Sequence, residues 1–115
     1  MISQKISHIN DIKNAKEEFL RVTKQHENKI QCVHIIHECG MDKFNTYSLR
    51  MNHTQEEYDK FVDSLDFEYD GGHGAQELFG FIWIDDGSWY ERGEYDGAEW
   101  WEYKNTPPIP DELIN

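Results

Sequence analysis

Residues 78–104 read LFGFIWIDDGSWYERGEYDGAEWWEYK, and this stretch decides the fold. It contains three short runs rich in aromatic and β-branched residues, the types that favour strands. The breaks at 85–88 and 96–97 each contain Asp-Gly, a strong hairpin signal. The sequence therefore predicts three consecutive antiparallel strands, Leu78–Ile84, Trp89–Tyr95 and Glu99–Lys104.

Upstream, residues 29–51 predict a second hairpin. Lys29–Glu38 is rich in Ile and Val and is apolar on both faces, as expected for a central strand. Residues 39–43 contain a glycine and form the predicted turn. Phe44–Met51 then alternates between polar and apolar side chains, which is typical of a strand with one solvated face.

Two segments carry helical signals. The first, about residues 11–25, has one apolar face and is expected to be capped by Asn10 or Asp11. The second begins at 54–57, a capping box in which Thr54 and Glu57 satisfy each other's backbone donors. The apolar faces consist of Ile12, Ala15, Phe19 and Val22 in the first helix and Tyr58, Phe61, Val62 and Leu65 in the second.

The element order αββαβββ predicts an α+β fold, a mostly antiparallel five-stranded sheet with two helices on one face. A length of 115 residues fits a single domain spanning 1–115. The proline-rich stretch 106–110 cannot pair inside a sheet and is expected to lie over the surface.

The negative charge is concentrated in one half of the chain. Residues 54–103 hold fifteen Asp and Glu against Lys60 and Arg92, a formal charge of −13, whereas residues 1–53 carry +2. Such a field repels nucleic acid, anionic lipid and phosphorylated cofactors, so we predict no direct nucleic-acid or membrane contact. It favours a protein partner with a basic surface.

Hydropathy and cysteine placement predict a cytoplasmic protein. No apolar run is long enough to cross a bilayer, and the first ten residues are too polar for a secretory signal. Cys32 and Cys39 lie on one predicted strand with Cα atoms about 23 Å apart, far beyond disulfide reach. We therefore expect both to be reduced thiols.

Strand alternation places aromatic residues on both faces of the last two strands. The helices can cover only one face, so part of this aromatic surface is expected to face solvent among carboxylates. Such a patch is typical of a protein interface. The predicted partner-binding residues are the anchors Trp89, Tyr95, Trp100 and Trp101, the charge field Glu91, Glu94, Glu99 and Glu102, and Arg92.

Three other interpretations stay open for these residues. Aromatic side chains also stabilise sheets through cross-strand pairs, in which case the acids serve only solubility. An exposed tryptophan patch would equally suit a homodimer seam. Arg92 either neutralises neighbouring acids or grips a carboxylate of the partner.

The run ELFGFIWIDDGSWYERGEYDGAEWWEYKNTPPIPDEL, residues 77–113, resembles the C-terminal part of small acidic proteins encoded by bacteriophages, most of them without an assigned activity. The resemblance covers about a third of the chain and carries over no catalytic residue. It implies a phage early protein that binds and inhibits a host enzyme in the host cytoplasm.

Charge offers a physical route to such inhibition. Enzymes that handle DNA carry basic clefts shaped to a duplex. We predict that the four-carboxylate charge field and an acidic stripe on the second helix form one dense anionic surface that mimics nucleic-acid charge. The stripe consists of Glu56, Asp59, Asp63 and Asp66.

The alternative function is a small ligand-binding or catalytic domain built on the aromatic and carboxylate strands. Glu91 or Glu94 near Trp89 would suit general acid work. His73 and Cys39 are candidate acid–base and nucleophilic residues, but no local pattern connects them. We predict no catalytic residue and no cofactor.

Residues 32–39 offer four zinc-type ligands, Cys32, His34, His37 and Cys39. On a strand the first two face one side and the last two face the other, so the four do not converge. The acidic turns also lack the oxygen spacing of a calcium loop. We therefore predict no metal site.

Overall fold

The computed structural model describes residues 12–72 and 74–114. Its elements, in chain order, are β1 (Ile12–Asn14), α1 (Ala15–Thr23), a 3₁₀ turn (Lys24–His26), β2 (Ile30–Gly40), β3 (Lys43–Leu49), α2 (Gln55–Ser64), β4 (Glu68–Asp70), β5 (Leu78–Ile84), β6 (Trp89–Tyr95), β7 (Ala98–Lys104) and α3 (Asp111–Ile114).

The main sheet has five strands in the order β3-β2-β5-β6-β7, and every neighbouring pair is antiparallel. The predicted α+β class and five-stranded antiparallel sheet are therefore confirmed. The structure adds a two-stranded ribbon of β1 and β4 and the short α3. The proline-rich stretch before α3 is exposed, as predicted.

The first helix starts later than the prediction. Asn14 is its cap, because the Asn14 side chain accepts a hydrogen bond from the Glu17 backbone N–H at 3.0 Å. Ile12 continues the helical spacing of apolar residues but is extended instead, since its backbone pairs with Asp70 in β4. The predicted caps Asn10 and Asp11 lie outside the described residues. The helix also ends earlier, at Thr23, and passes into the 3₁₀ turn.

The second helix begins where its capping box predicts. The Glu57 N–H donates to Thr54 Oγ1 at 3.1 Å, and the Thr54 N–H donates to Glu57 Oε1 at 2.9 Å. Two of the four N-terminal backbone donors are thus satisfied within the motif. Local sequence is sufficient to fix this helix start.

Both helices pack on the same face of the main sheet, which we call the covered face. The rings of Phe19 in α1 and Phe61 in α2 meet edge to face, with centroids 5.6 Å apart. The Tyr90 hydroxyl of β6 donates to the Val22 carbonyl of α1 at 2.9 Å. The strands contribute to this core the buried residues Val33, Ile35, Leu49, Leu78, Ile82, Ile84, Tyr90 and Trp101.

The opposite side, which we call the open face, carries the side chains that alternate with the core residues. Along β5, buried Leu78, Ile82 and Ile84 alternate with Phe81 and Trp83, which are 42% and 37% exposed. Large aromatic residues rarely stand side by side in solvent without a role. The open face is therefore the part of the sheet that needs a functional explanation.

The β6–β7 hairpin fixes which residues lie on each face. Its two central turn residues, Asp96 and Gly97, both have positive φ, 51° and 89°. This is the geometry that a two-residue type I′ turn requires. The turn sets the register in which Tyr95 is opposite Ala98 and Glu91 is opposite Glu102.

Candidate functional site

The hairpin register divides the nine predicted partner-binding residues between two faces. Directly opposite residues of antiparallel strands point to the same side. Arg92 is opposite Trp101 and Glu94 is opposite Glu99, and these four belong to the covered side. The open face receives the other five, Trp89, Glu91, Tyr95, Trp100 and Glu102.

Arg92 lies inside the protein in an ion cluster with two carboxylates. Its guanidinium contacts Glu99 Oε1 at 2.8 Å through Nη2 and Glu18 Oε1 at 3.3 Å through Nη1. The side chains of Arg92, Glu18 and Glu99 are only 1%, 4% and 0% exposed. Buried charges of this kind persist only when they are paired and hydrogen-bonded.

Two aromatic rings complete the surroundings of the guanidinium. The Arg92 carbon Cζ lies 4.9 Å from the ring centroid of Trp101 and 5.5 Å from that of Tyr69. The Tyr69 hydroxyl donates to Glu18 Oε1 and accepts from Arg92 Nη2 at 3.1 Å. Burial, together with the bond to Glu18, raises the pKa of Tyr69 far above its ordinary value.

The protonation of Arg92 is secured by its neighbours. Burial by itself lowers the pKa of Arg92, but the electrostatic interactions with Tyr69 and Glu18 and the hydrogen bond to Glu99 outweigh it. The pKa is therefore raised, and the guanidinium stays charged. Of the three guanidinium nitrogens of Arg92, only Nε, which is buried, has no hydrogen-bond partner among the described residues.

Glu99 links β7 to the beginning of β5. Its carboxylate accepts hydrogen bonds from the backbone N–H groups of Glu77, at 2.6 Å, and Leu78, at 3.0 Å. The Glu99 N–H in turn donates to the Gly71 carbonyl at 3.0 Å. These contacts make Glu99 a structural clip that holds the loop before β5 against the last strand.

The prediction that Arg92, Glu99 and Trp101 contact a partner is therefore wrong. All three side chains are enclosed, and Trp101 is only 7% exposed. They pack inward because the helix layer covers their side of the hairpin. The alternative interpretation of Arg92, neutralisation of neighbouring acids, is confirmed by its contacts with Glu18 and Glu99.

The structure also contradicts the prediction that the carboxylates form one dense anionic surface. Glu91 and Glu102 point to the open face, whereas Glu99 is buried and Glu94 turns its carboxylate to the Gly97 N–H at 2.9 Å. The acids of the α2 stripe lie on the helix side of the molecule. There Asp63 contacts Lys16 Nζ at 2.9 Å and Asp66 accepts from Asn14 at 3.0 Å. Charge is spread over several sides instead of one.

The open face retains a contiguous aromatic surface. Phe81 and Trp83 on β5 stack with ring centroids 5.4 Å apart and planes 26° from parallel. On β6, Trp89 is opposite Trp83, and on β7, Trp100 is 38% exposed. Tyr95, at the end of β6, is 77% exposed.

The indole of Trp100 lies against Gly93 of the neighbouring strand. A methyl group at Gly93 would stand 2.6 Å from Trp100 Cε2 and Nε1, so a larger residue there would force the indole to move. Glycine at position 93 thus allows the indole to cover the backbone of the neighbouring strand.

Phe81 and Trp83 were missed as binding candidates, although the sequence contains the signal. The alternation of Leu78, Ile82 and Ile84 with bulky aromatic residues shows that β5 is apolar on both faces. In a central strand, apolar residues on both faces usually mean burial on both sides. The helices cover only one side here, so the outward rings stay exposed.

Four cavities are lined by described residues, and none of the four has a lining residue from β6 or β7. Cys39 is exposed near the β2–β3 turn, and its sulfur accepts from Asn45 at 3.6 Å. His73 lies outside the described residues.

The four zinc-type ligands of β2 do not meet. His34 Nδ1 lies 2.8 Å from Ser48 Oγ on the open side, while His37 is buried, stacked on Phe67, with Nε2 3.2 Å from Glu77 Oε1. Among the described residues, no group of three or more His, Cys, Asp or Glu is placed to hold a metal ion. Both cysteines are free thiols, and burial raises the pKa of Cys32.

Within residues 12–72 and 74–114, no helix is both long and apolar enough to cross a membrane.

No family model, curated protein or solved structure matches this chain. The resemblance to bacteriophage proteins therefore stays a prediction, and the open face is the feature from which function has to be argued.

Proposed function

We propose that this chain is a non-catalytic binding protein that docks a protein partner on the open face of its sheet. The observation that carries the proposal is the group of outward-facing rings. Phe81 and Trp83 on β5 and Trp100 on β7, the two strands that flank β6, are each 37–42% exposed. Tryptophan and other aromatic anchors in one patch are the usual energetic centre of a protein interface.

The partner is proposed to carry a basic surface. The formal charge of −12 speeds encounter with such a surface and disfavours anionic partners. A host enzyme that handles nucleic acid or defends the cell fits this chemistry and the resemblance to bacteriophage proteins. Docking would inhibit it stoichiometrically, by covering a surface, and would take place in the cytoplasm.

Nucleic-acid mimicry by a four-carboxylate array is not part of the proposal. Glu91 and Glu102 are separated from Glu94 and Glu99 by the thickness of the sheet. A regular row of charges on one side, which a duplex backbone presents, is absent from this hairpin. Aromatic contact is proposed as the main source of affinity, with charge acting on approach and on orientation.

The test is affinity capture from a bacterial lysate, followed by measurement of binding to the isolated captured protein. Phe81→Ser with Trp83→Ser removes two rings from the open face. The matched control is Leu20→Ser, since Leu20 is also 41% exposed but lies on α1, on the other side of the molecule. Circular dichroism should confirm that every variant is folded.

We expect the double variant to lose the partner and Leu20→Ser to keep it. High salt should slow association with a basic partner while leaving the aromatic dependence in place. Binding that survives loss of both rings would refute the open face as the docking surface.

A further inference from the structure

Glu91 and Glu102 form an unusual pair on the open face. They are directly opposite each other on β6 and β7. Adjacent strands are about 4.8 Å apart, and like charges in this position destabilise a sheet. The nearest cation is Lys104, whose Nζ lies 3.5 Å from Glu91 Oε1. Glu102 is exposed, and its carboxylate makes no hydrogen bond or ion pair with any described residue.

Aromatic rings surround this carboxylate pair. Phe81 is directly opposite Glu91 on its other side, in β5. Trp89 precedes Glu91 by two positions on β6, and its Nε1 donates to Glu91 Oε1 at 2.9 Å. Trp100 precedes Glu102 by two positions on β7 and lies over Gly93. Residues two apart on a strand share a face and stand about 6.6 Å apart.

The bond from Trp89 gives the carboxylate of Glu91 a fixed position. The hydrogen bond from the indole, with help from the charge of Lys104, lowers the pKa of Glu91. The Glu91 carboxylate is therefore kept ionised and in one orientation, whereas the Glu102 carboxylate beside it has no such partner. The pair is a negative site whose charge is only partly balanced.

We propose that the Glu91–Glu102 patch, formed by these two carboxylates with Phe81, Trp89 and Trp100, binds the arginine or lysine side chains of a basic protein segment. A cation between two carboxylates relieves their repulsion, and its flat face can lie over an indole. Arginine suits the patch better than lysine, because guanidinium is planar and weakly hydrated. This inference rests on the proposed docking role of the open face.

Charge argues against a second copy of the chain as the occupant. The outward-facing charged residues of β2, β6 and β7 are Glu38, Glu91 and Glu102 against Lys104 alone. Two such faces would bring like charges together. An arginine-bearing segment instead places opposite charges beside the rings, so the patch selects a cationic partner.

The experiment titrates the full chain with a short capped peptide of alternating arginine and serine. A second peptide carries citrulline in place of each arginine, which keeps the shape but removes the charge. The readouts are tryptophan fluorescence and the NMR shifts of the indole N–H groups of Trp89 and Trp100. The key variant is Glu102→Gln, since Glu102 has no partner whose loss would disturb the fold. Its matched control is Glu17→Gln, an exposed carboxylate on α1.

We expect the arginine peptide to bind and the citrulline peptide not to bind. Glu102→Gln should weaken binding about threefold to fivefold, as for loss of one partly exposed charge contact, and Glu17→Gln should leave it unchanged. Trp100→Leu should weaken binding by a similar factor, because the cation then lacks its ring.

Three results would overturn the inference. The two peptides could bind equally well, neither peptide could bind, or Glu17→Gln and Glu102→Gln could change binding equally. Self-association that Glu102→Gln strengthens would assign the face to a second copy and also overturn it. These results differ from a failure of the docking proposal itself. If partner capture still requires Phe81 and Trp83 while the arginine peptide does not bind, the docking proposal is supported and the proposed cation site is refuted.

Discussion

Arg92 and Trp101 face the helices, while Glu91, Trp100 and Glu102, one position away along the same two strands, face outward. Both faces of the hairpin thus combine indoles with carboxylates. On the covered face each charge has a fixed partner and Trp101 is enclosed. On the open face Glu102 has no described partner and Trp100 remains exposed.

The difference teaches that residue type alone does not distinguish a structural cluster from a binding surface. Low solvent access makes an unpaired charge very costly, so the buried charges of the covered face are paired and hydrogen-bonded. Water tolerates incomplete pairing on the open face. Four substitution or pH experiments examine this contrast, from the largest expected effect to the smallest.

The largest effect is expected for Arg92→Ala. It leaves Glu18 and Glu99 buried without their cation, which should lower the free energy of unfolding by about 3–5 kcal/mol. Arg50→Ala is the control, because Arg50 pairs with Glu57 at 3.1 Å but its side chain is 72% exposed. We expect a loss of about 0–1 kcal/mol there. Urea denaturation measures both, and equal losses would abolish the distinction between the faces.

A second experiment compares the neighbouring tryptophans. Trp101→Ala removes a buried ring that packs on the Arg92 guanidinium, and it should destabilise the protein by about 3–5 kcal/mol. Trp100→Ala removes a partly exposed ring that lies against Gly93, and it should lower the free energy of unfolding by about 1 kcal/mol or less. Thermal or urea unfolding checks both values. A larger loss for Trp100 would mean that the open face is part of the stable core.

A third experiment compares Glu99→Gln with Glu102→Gln. Glu99 accepts two hydrogen bonds from backbone N–H groups and one from Arg92. Replacing its carboxylate with the neutral amide of glutamine should therefore lower the free energy of unfolding by about 2 kcal/mol. Glu102→Gln removes like-charge repulsion with Glu91 and should change stability by less than about 0.5 kcal/mol, in the stabilising direction. Substantial destabilisation by Glu102→Gln would show that this carboxylate has a structural partner.

The smallest effect concerns the pH dependence of an exposed pair. The hydrogen bond from Arg50, together with the Thr54 backbone N–H, lowers the pKa of Glu57 to about 2. A depressed folded-state pKa contributes stability above the unfolded pKa, about 4.3, and loses it as pH falls toward 2. In Glu57→Gln, the free energy of unfolding should fall less as the pH is lowered, because this carboxylate is no longer present. Unfolding measured between pH 5 and about 2 tests it, and unchanged acid sensitivity would contradict the assignment.

Much of the fold could be predicted because its signals are local. The strand bounds of β5 and β6, the Asp96-Gly97 turn and the Thr54–Glu57 capping box all follow from residues within a few positions of one another. The start of α1 could not be predicted in this way. Ile12 joins β1 because β4, nearly sixty residues later, supplies its backbone partner.

The candidate site was predictable only in part. Strand alternation correctly separates Trp100 from Trp101 and Glu91 from Arg92. It does not say which side the helices cover, so the nine predicted residues included three that are buried. Phe81 and Trp83 were omitted for the same reason, because a two-sided apolar strand gives no sign of which side stays open.

The sequence by itself determined the five main strands, the start of α2, the hairpin register and the excess of carboxylates, since these depend on short-range chemistry and composition. Only the tertiary structure decided that Arg92, Glu99 and Trp101 form an internal cluster while Trp100, Glu91 and Glu102 remain on an open surface. The physical reason is that burial is a property of packed layers. A strand specifies two faces, but the helices that pack on one of them determine which face water can reach.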